Sequence, residues 1–376
     1  MAPPFRSYVL IDLGQIARNY RAVRDLVGPG VEVAAVVKAD AYGHGAREVS
    51  RVLQAEGARW LAVSSVDEGV TLREAGLRAP RILVMGGFLP DEGRQLAEHE
   101  LTPVIHSLAQ IRQVERLAQS SGKLIRYHLK IDSGMGRLGT RASASEILAV
   151  LSDTRHARLE GLMTHFASAA NYDSAQTADQ LARFHSVAGE LRAGGVDASI
   201  LHTSSTIAVA YGRSEGWHNL VRPGHALYGY VSPARGAAPP QLLQVKPALT
   251  WKARILEVKE IPEGALVGYG GTFRAPRPMR IGVLGAGYAD GMFHRLSNRG
   301  KVIADGKLTP ILGTISMDLT TIDLSHTTAL APGDAVTLLG SEGDSTLDAQ
   351  QIARVAGTIS YNILCSISAR VKRVYV

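Results

Sequence analysis

Lys38 closes a valine-rich apolar run, Val31-Glu32-Val33-Ala34-Ala35-Val36-Val37, and a turn carrying Asp40, Tyr42, Gly43, His44 and Gly45 follows at once. So apolar a run reads as a strand buried on both faces. Desolvation at the end of such a strand lowers an amine's pKa and suits it to Schiff-base formation and proton transfer. The same position also suits a lysine that only snorkels into water. Four further polar stretches follow apolar runs: Lys130-Ile131-Asp132-Ser133-Gly134-Met135-Gly136-Arg137, Thr164-His165-Phe166, His202-Thr203-Ser204-Ser205 and Arg222-Pro223-Gly224-His225. Taken singly, Arg137 reads equally as a surface cation and His165 as a satisfied core histidine. Their common placement at strand ends is the informative part.

The elements that must hold these residues alternate along the chain. Helical periodicity covers 12–27, with Ile16, Tyr20, Val23 and Val27 on one face, and the opening strand follows. Strands are then predicted at 60–64, 81–85, 102–105, 125–131, 159–164, 198–202 and 218–222. Helices are predicted between them at 46–56, 66–75, 91–99, 107–121, 143–152 and 174–193, with a short one after Ser205. Eight strands separated by helices predict parallel pairing with the helices outside, in a closed (β/α)8 TIM-like barrel or a doubly wound open sheet. Such a barrel has its chemistry where the C-terminal strand ends meet the loops. Ser232 to Pro240 has the composition of a linker. Beyond it, short strand-like runs at 250–259, 280–284, 302–304, 335–339 and 371–376 predict a mainly β domain with one helix, 348–356. The expected division is a barrel over 1–232 and a β domain over 241–376.

Composition narrows the function. With 376 residues the chain can hold two cores. A formal charge of +7 permits nucleic-acid binding, but the basic residues are scattered, with no basic run or aromatic-basic repeat, so we expect no nucleic-acid partner. Cys365 is the only cysteine, which rules out an intrachain disulfide; with Leu364 and Ile367 beside it, a packed core thiol is expected. Met1 to Leu10 lacks the apolar core of a signal peptide and no run approaches a membrane span, so a cytoplasmic, membrane-free protein is expected. The histidines lack metal-ligand spacing. In barrels the late loops often build a phosphate site, and Ser204-Ser205 opening a short helix, with Gly224 exposing its backbone, offer anion donors. A lysine at one strand end and a phosphate cradle across the same mouth point to pyridoxal 5'-phosphate (PLP).

Ala35-Val36-Val37-Lys38-Ala39-Asp40-Ala41-Tyr42-Gly43-His44-Gly45 closely resembles the PLP-lysine signature of the alanine racemase family. Lys130 through Gly139, Thr164-His165-Phe166, Arg222-Pro223-Gly224 and Val267-Gly268-Tyr269-Gly270-Gly271-Thr272 resemble later family motifs, in family order. So do Gly287-Tyr288-Ala289-Asp290-Gly291, Ser316-Met317-Asp318 and Ser360-Tyr361-Asn362. The resemblance implies a barrel followed by a β domain and a head-to-tail homodimer with shared sites. It implies racemisation of L- and D-alanine for peptidoglycan by two bases. Lys38 would carry PLP and act on one face of the α-carbon; Tyr269 of the partner chain would act on the other.

By the same resemblance Arg222 would contact the pyridine nitrogen, and His165 with Arg222 would tune Tyr269. Tyr42, Ser204, Ser205, Gly224, His225 and Tyr361 would hold the phosphate, His225 through its backbone N–H. Arg137 would lie near the PLP phenolic oxygen and the substrate carboxylate, Met317 would contact that carboxylate, and Tyr288 would narrow the entrance. Lys130 matches a position that is carbamylated in some members. Ser204 departs from a common Asn, and His225 stands where an apolar residue is common. The alternatives are a racemase of another small amino acid such as serine, a barrel-class PLP decarboxylase that would need a reactive loop cysteine, and a single-domain PLP carrier without a counterpart of Tyr269.

Overall fold

Eight parallel strands carry the predicted site loops. They are preceded in the chain by a strand not expected from the sequence, β1 (Ser7–Ile11). The eight are β2 (Glu32–Val36), β3 (Trp60–Val63), β4 (Arg81–Val84), β5 (Thr102–Ile105), β6 (Ile125–Lys130), β7 (Ala157–Met163), β8 (Ile200–His202) and β9 (Leu220–Val221). The computed structural model describes residues 3–376; Met1 and Ala2, which open the N-terminal stretch and the first domain range given above, lie outside them.

The strand order is β8-β7-β6-β5-β4-β3-β2-β9. The ring closes between β8 and β9 with little strand pairing. Arg222 N donates to Ser204 O at 2.9 Å, and the Asn219 side chain does the rest: its Nδ2 donates to Ser199 O (2.6 Å) and its Oδ1 accepts from Leu201 N (2.7 Å). A side chain standing in for a ladder explains why these two strands are shorter than their apolar runs suggested. Helices lie between the strands where predicted, and their caps are local. Ser107 accepts from Gln110 N before Leu108–Ser121, and Ser143 forms a reciprocal box with Glu146 before Ala144–Leu151.

The second unit is mainly β. Its strands are β10 (Leu249–Ile261), β11 (Leu266–Val267), β12 (Phe273–Arg274), β13 (Met279–Leu284), β14 (Lys301–Ala304), β15 (Lys307–Leu312), β16 (Thr320–Asp323), β17 (Ala335–Glu342), β18 (Ser345–Leu347) and β19 (Lys372–Tyr375). The long β10 pairs with β13 and, beyond a register shift, with β17, so the path β10-β13-β16-β15-β14-β17 returns on itself. Strand β1 adds to this sheet, antiparallel to β10 and parallel to β19.

The division of the chain therefore differs from the expected 1–232 and 241–376. Residues up to Gly14, Tyr42–Gly45 and Pro247–Val376 form one unit, and Gln15–Ala41 with Ala46–Lys246 the other. The physical cause is hydrogen bonding. β1 is held by β10 and β19, while the segment read as a linker is tied to the barrel unit, Arg235 N donating to Ala170 O and Ala237 N to Asp173. Two helices close the chain, Ala349–Ala356 and the unexpected Ser360–Cys365. Cys365 ends the latter and is exposed, so the expectation of a packed core thiol is wrong: helical periodicity turns Ile363 and Leu364 inward and leaves Cys365 out. No helix among the described residues is long and apolar enough to cross a membrane.

Candidate active site

Lys38 stands two residues past β2, where the backbone does something unusual. Ala39, Asp40, Ala41 and Tyr42 are all left-handed, with φ between 51° and 54°. For residues with a Cβ this costs on the order of 1 kcal/mol each, so the turn must be held from outside. Glu68 does this on one side, its two carboxylate oxygens accepting from Ala39 N at 2.6 Å and Ser64 N at 2.7 Å. Asp40 does it on the other, accepting from Ala46 N at 2.7 Å where helix Ala46–Ala55 begins. The lysine is thus aimed by a clamped turn.

The other strand ends converge on cations. Lys130 ends β6 and is buried. Burial first, then the charges of Arg137, Arg222 and Lys38, bring its pKa down to about 8, with Asp132 opposing. Asp132 is already engaged. Burial disfavours its charge, but hydrogen bonds from Gly136, Gly134 and Met135 N and from Arg141 (2.7 Å) hold it down to about 2. That carboxylate ties the ends of the loop that carries the exposed Arg137.

Arg222, one residue past β9, is buried, and burial alone lowers its pKa to about 9. Its terminal nitrogens donate to His202 Nδ1 and O (both 2.8 Å), Thr164 O (2.7 Å) and Thr203 O (3.0 Å), and one lies 3.4 Å from His165 Nδ1. Its Nε–H has no acceptor among the described residues. Burial, then Arg222, Lys130, Arg137 and Lys38, push His165 down to about 3, so it is a neutral ring. A guanidinium has no acceptor, so His165 turns a lone pair at Nδ1 towards Arg222 and carries its proton at Nε2.

The phosphate donors are arranged differently from the sequence reading. Ser204 is buried and its hydroxyl donates to Gly216 O at 2.7 Å, so that hydrogen is not available to an anion. Gly224 N donates to Thr206 Oγ1 (3.1 Å), which also accepts from Ala226 N (3.3 Å); Thr206 organises this corner and had no signal in the sequence beyond its hydroxyl. Ser205 caps the five-residue helix Thr206–Ala210 with its side chain free of the capping role. The His225 ring stacks on Tyr230 at 5.1 Å, inside the barrel unit.

Four anticipated residues belong to the other unit, along with Tyr42, whose ring centre lies 5.9 Å from that of Tyr361. Tyr288 and Met317 sit on loops stitched together by Tyr288 N to Ser316 O and Ala289 N to Met317 O, both 3.0 Å. No Cβ would fit at Gly287 against the Met317 and Ser316 carbonyls. Tyr269 stands on a turn made by Gly268, Gly270 and Gly271, all at positive φ, and is 75% exposed.

The residues present fit PLP. The barrel mouth gathers Lys38, Lys130, Arg137 and Arg222 around one already neutralised carboxylate, which suits a phosphorylated, anionic ring. The unengaged Nε–H of Arg222 suits a ring nitrogen that accepts. Among the described residues no group of three or more His, Cys, Asp or Glu could hold a metal.

Comparison with known proteins agrees over both units. Residues 11–233 match the family described as "Alanine racemase, N-terminal domain", and residues 248–375 match "Alanine racemase, C-terminal domain". An alanine racemase of Carboxydothermus hydrogenoformans is 41% identical over 97% of this chain and 98% of its own length. The chain belongs to the alanine racemase family. The structure of the family member from Bacillus anthracis with bound L-Ala-P has a TM-score of 0.91 at 33% identity, covering 100% of this chain and 96% of that one. The member from Bartonella henselae, with covalently bound pyridoxal phosphate, has a TM-score of 0.88 at 28% identity, covering 99% of this chain and 100% of that one.

Within this family fold, several supporting residues went unnoticed in the sequence. Glu68 and Asp132 look like ordinary helix and loop carboxylates until their backbone partners are seen. Gln180 fixes the His165 loop, accepting from Ala167 N (2.9 Å) and donating to His165 O (3.1 Å). Glu160 and His128 carried no signal at all. A strand's alternation could not have marked them.

Proposed function

We propose that this chain interconverts L- and D-alanine with PLP on Lys38, as a head-to-tail homodimer in the cytoplasm, and so supplies D-alanine for peptidoglycan. One observation carries most of the reading: a clamped lysine and a buried arginine with an unengaged Nε–H lie at neighbouring strand ends of a cationic mouth. When bound, PLP supplies an aldehyde for the substrate amine and a conjugated ring that delocalises the electron pair left at the α-carbon.

The chain's own residues do the rest. Lys38 removes or returns the α-proton on one face, and Tyr269 of the partner acts on the other, as inversion requires. A neutral phenol is a weak base and needs electrostatic help to act as one. Here that help comes as charge from Arg222 and as a neutral N–H from His165. A cation against the ring nitrogen disfavours protonating it, which limits transamination. Arg137 and the Met317 backbone bind the substrate carboxylate, while Tyr288 narrows the entrance, which favours a small side chain. Tyr42, Tyr361, Ser205 and the backbone N–H of His225 hold the phosphate, with Thr206 fixing the Gly224 turn beside them. Burial and the neighbouring cations bring Lys130 down to about 8, so it gives up its proton more readily than a free lysine; addition of CO2 to the neutral amine with loss of a proton would make it a carbamate facing Arg137.

The test is a panel of small amino acids incubated with protein and PLP and resolved by chiral chromatography, alongside borohydride trapping at Lys38. Racemisation of alanine with label on Lys38 is expected. Racemisation of serine but not alanine would overturn the substrate assignment. Lys38→Ala should abolish trapping.

A further inference from the structure

Behind Arg222 a line of polar groups continues from His202 into the barrel unit. Arg222 Nη1 lies 2.8 Å from His202 Nδ1, His202 Nε2 lies 2.8 Å from His128 Nδ1, and His128 Nε2 lies 3.5 Å from Glu160 Oε2. Both rings are fully buried. The last gap is long for a hydrogen bond, yet neither His128 Nε2 nor Glu160 Oε2 has a closer polar partner among the described residues. The other Glu160 oxygen is held by Arg81 at 2.7 Å.

The local structure is built for this contact. The β6–β7 register shifts so that Tyr127 faces Leu159 and His128 faces Gly161, leaving Glu160 as the extra residue of a bulge. A bulge re-aims one side chain, here Glu160. Gly161 clears the space, since a Cβ there would lie 2.9 Å from the His128 ring.

Donor chemistry fixes the direction of the line. Arg222 can only donate, so His202 Nδ1 is a lone pair and its proton sits on Nε2. That N–H donates to His128 Nδ1, whose proton then sits on Nε2 and faces the carboxylate. We infer that Glu160 is a positioning residue: through His128 and His202 it fixes both imidazole tautomers and holds Arg222 as a donor aimed at the barrel mouth. The direction rests on this geometry alone; its consequence for catalysis rests on the reading that Arg222 meets the cofactor ring. Burial keeps both histidines neutral, as the line requires.

Glu160→Gln gives a sharp test. Arg81 will keep the amide oxygen, so the amide N–H2 will face His128 Nε2. The tautomers must then reverse, and His202 Nδ1–H will meet Arg222 donor to donor. Long-range 1H–15N correlation on histidine-labelled holoenzyme should show Nε2–H for His128 and His202 in the parent, and Nδ1–H for His128 in Glu160→Gln. At least a tenfold fall in kcat with a higher transamination fraction per turnover should accompany it, with KM for alanine little changed. Glu115→Gln, a carboxylate holding backbone N–H groups elsewhere in the barrel unit, should alter neither readout. A parent His128 with Nδ1–H, or no reversal in the variant, overturns the direction. Reversal with unchanged kcat and unchanged transamination overturns the positioning role. A parent without a PLP absorbance band would instead sink the functional reading, and the parent tautomers, which need no variant to fold, still decide the line.

Discussion

At the scale of single residues, carboxylates hold the loops that carry the proposed site residues. Asp132 is the clearest. Its folded pKa is depressed to about 2, so it stabilises the fold above its unfolded value near 4 and loses that contribution as the pH falls through 2. Asp132→Asn should therefore cost about 2 kcal/mol at pH 7, by loss of charge-assisted hydrogen bonds. Urea midpoints of parent and variant should converge as the pH drops from 4 to 2; a gap that persisted unchanged would mean the carboxylate's charge is not what matters. Because the same carboxylate ties down the Arg137 loop, KM for alanine should rise more than kcat falls.

At the scale of elements, the sequence spoke clearly where periodicity decides the structure. Eight apolar runs with helices between them were legible because a parallel strand is apolar on both faces and an amphipathic helix is not. Strand β1 was not legible, since nothing in Ser7–Ile11 says that its partners lie some 240 and 360 residues away, at β10 and β19. The Glu160 bulge was hidden because one extra residue in a short strand leaves no periodic trace. The strand end that carries Lys38 was legible, but the left-handed turn behind it was not, because Ala39, Asp40, Ala41 and Tyr42 have no intrinsic preference for it. That misfit is testable. Ala39→Gly removes one strained Cβ and should raise stability by up to about 1 kcal/mol, read from the unfolding midpoint, while lowering kcat several-fold as the lysine loses its fixed aim. Gly161→Ala runs the opposite way. The added methyl meets a ring that cannot retreat without leaving His202, so about 1–3 kcal/mol should be lost in a thermal scan.

At the scale of the whole molecule, Tyr269 and its surroundings pose the remaining question. Tyr269, Tyr288, Met317 and Ile359 are large apolar or aromatic side chains that one chain leaves exposed. On the proposed head-to-tail dimer, these are the groups that would meet a second copy. The two-base reading then makes a prediction about mixtures. Lys38→Ala and Tyr269→Ala homodimers should each be inactive. If a site takes Lys38 from one chain and Tyr269 from its partner, a heterodimer of the two has one site with both wild-type groups and one with neither. Random exchange makes half the dimers hetero, so the mixture should recover about a quarter of the parental activity. If both groups came from the same chain, every heterodimer site would lack one of them and mixing would recover nothing. Co-expression with two affinity tags, followed by alanine racemisation by the doubly purified species at about half the parental rate per dimer, separates the two arrangements without relying on spontaneous exchange.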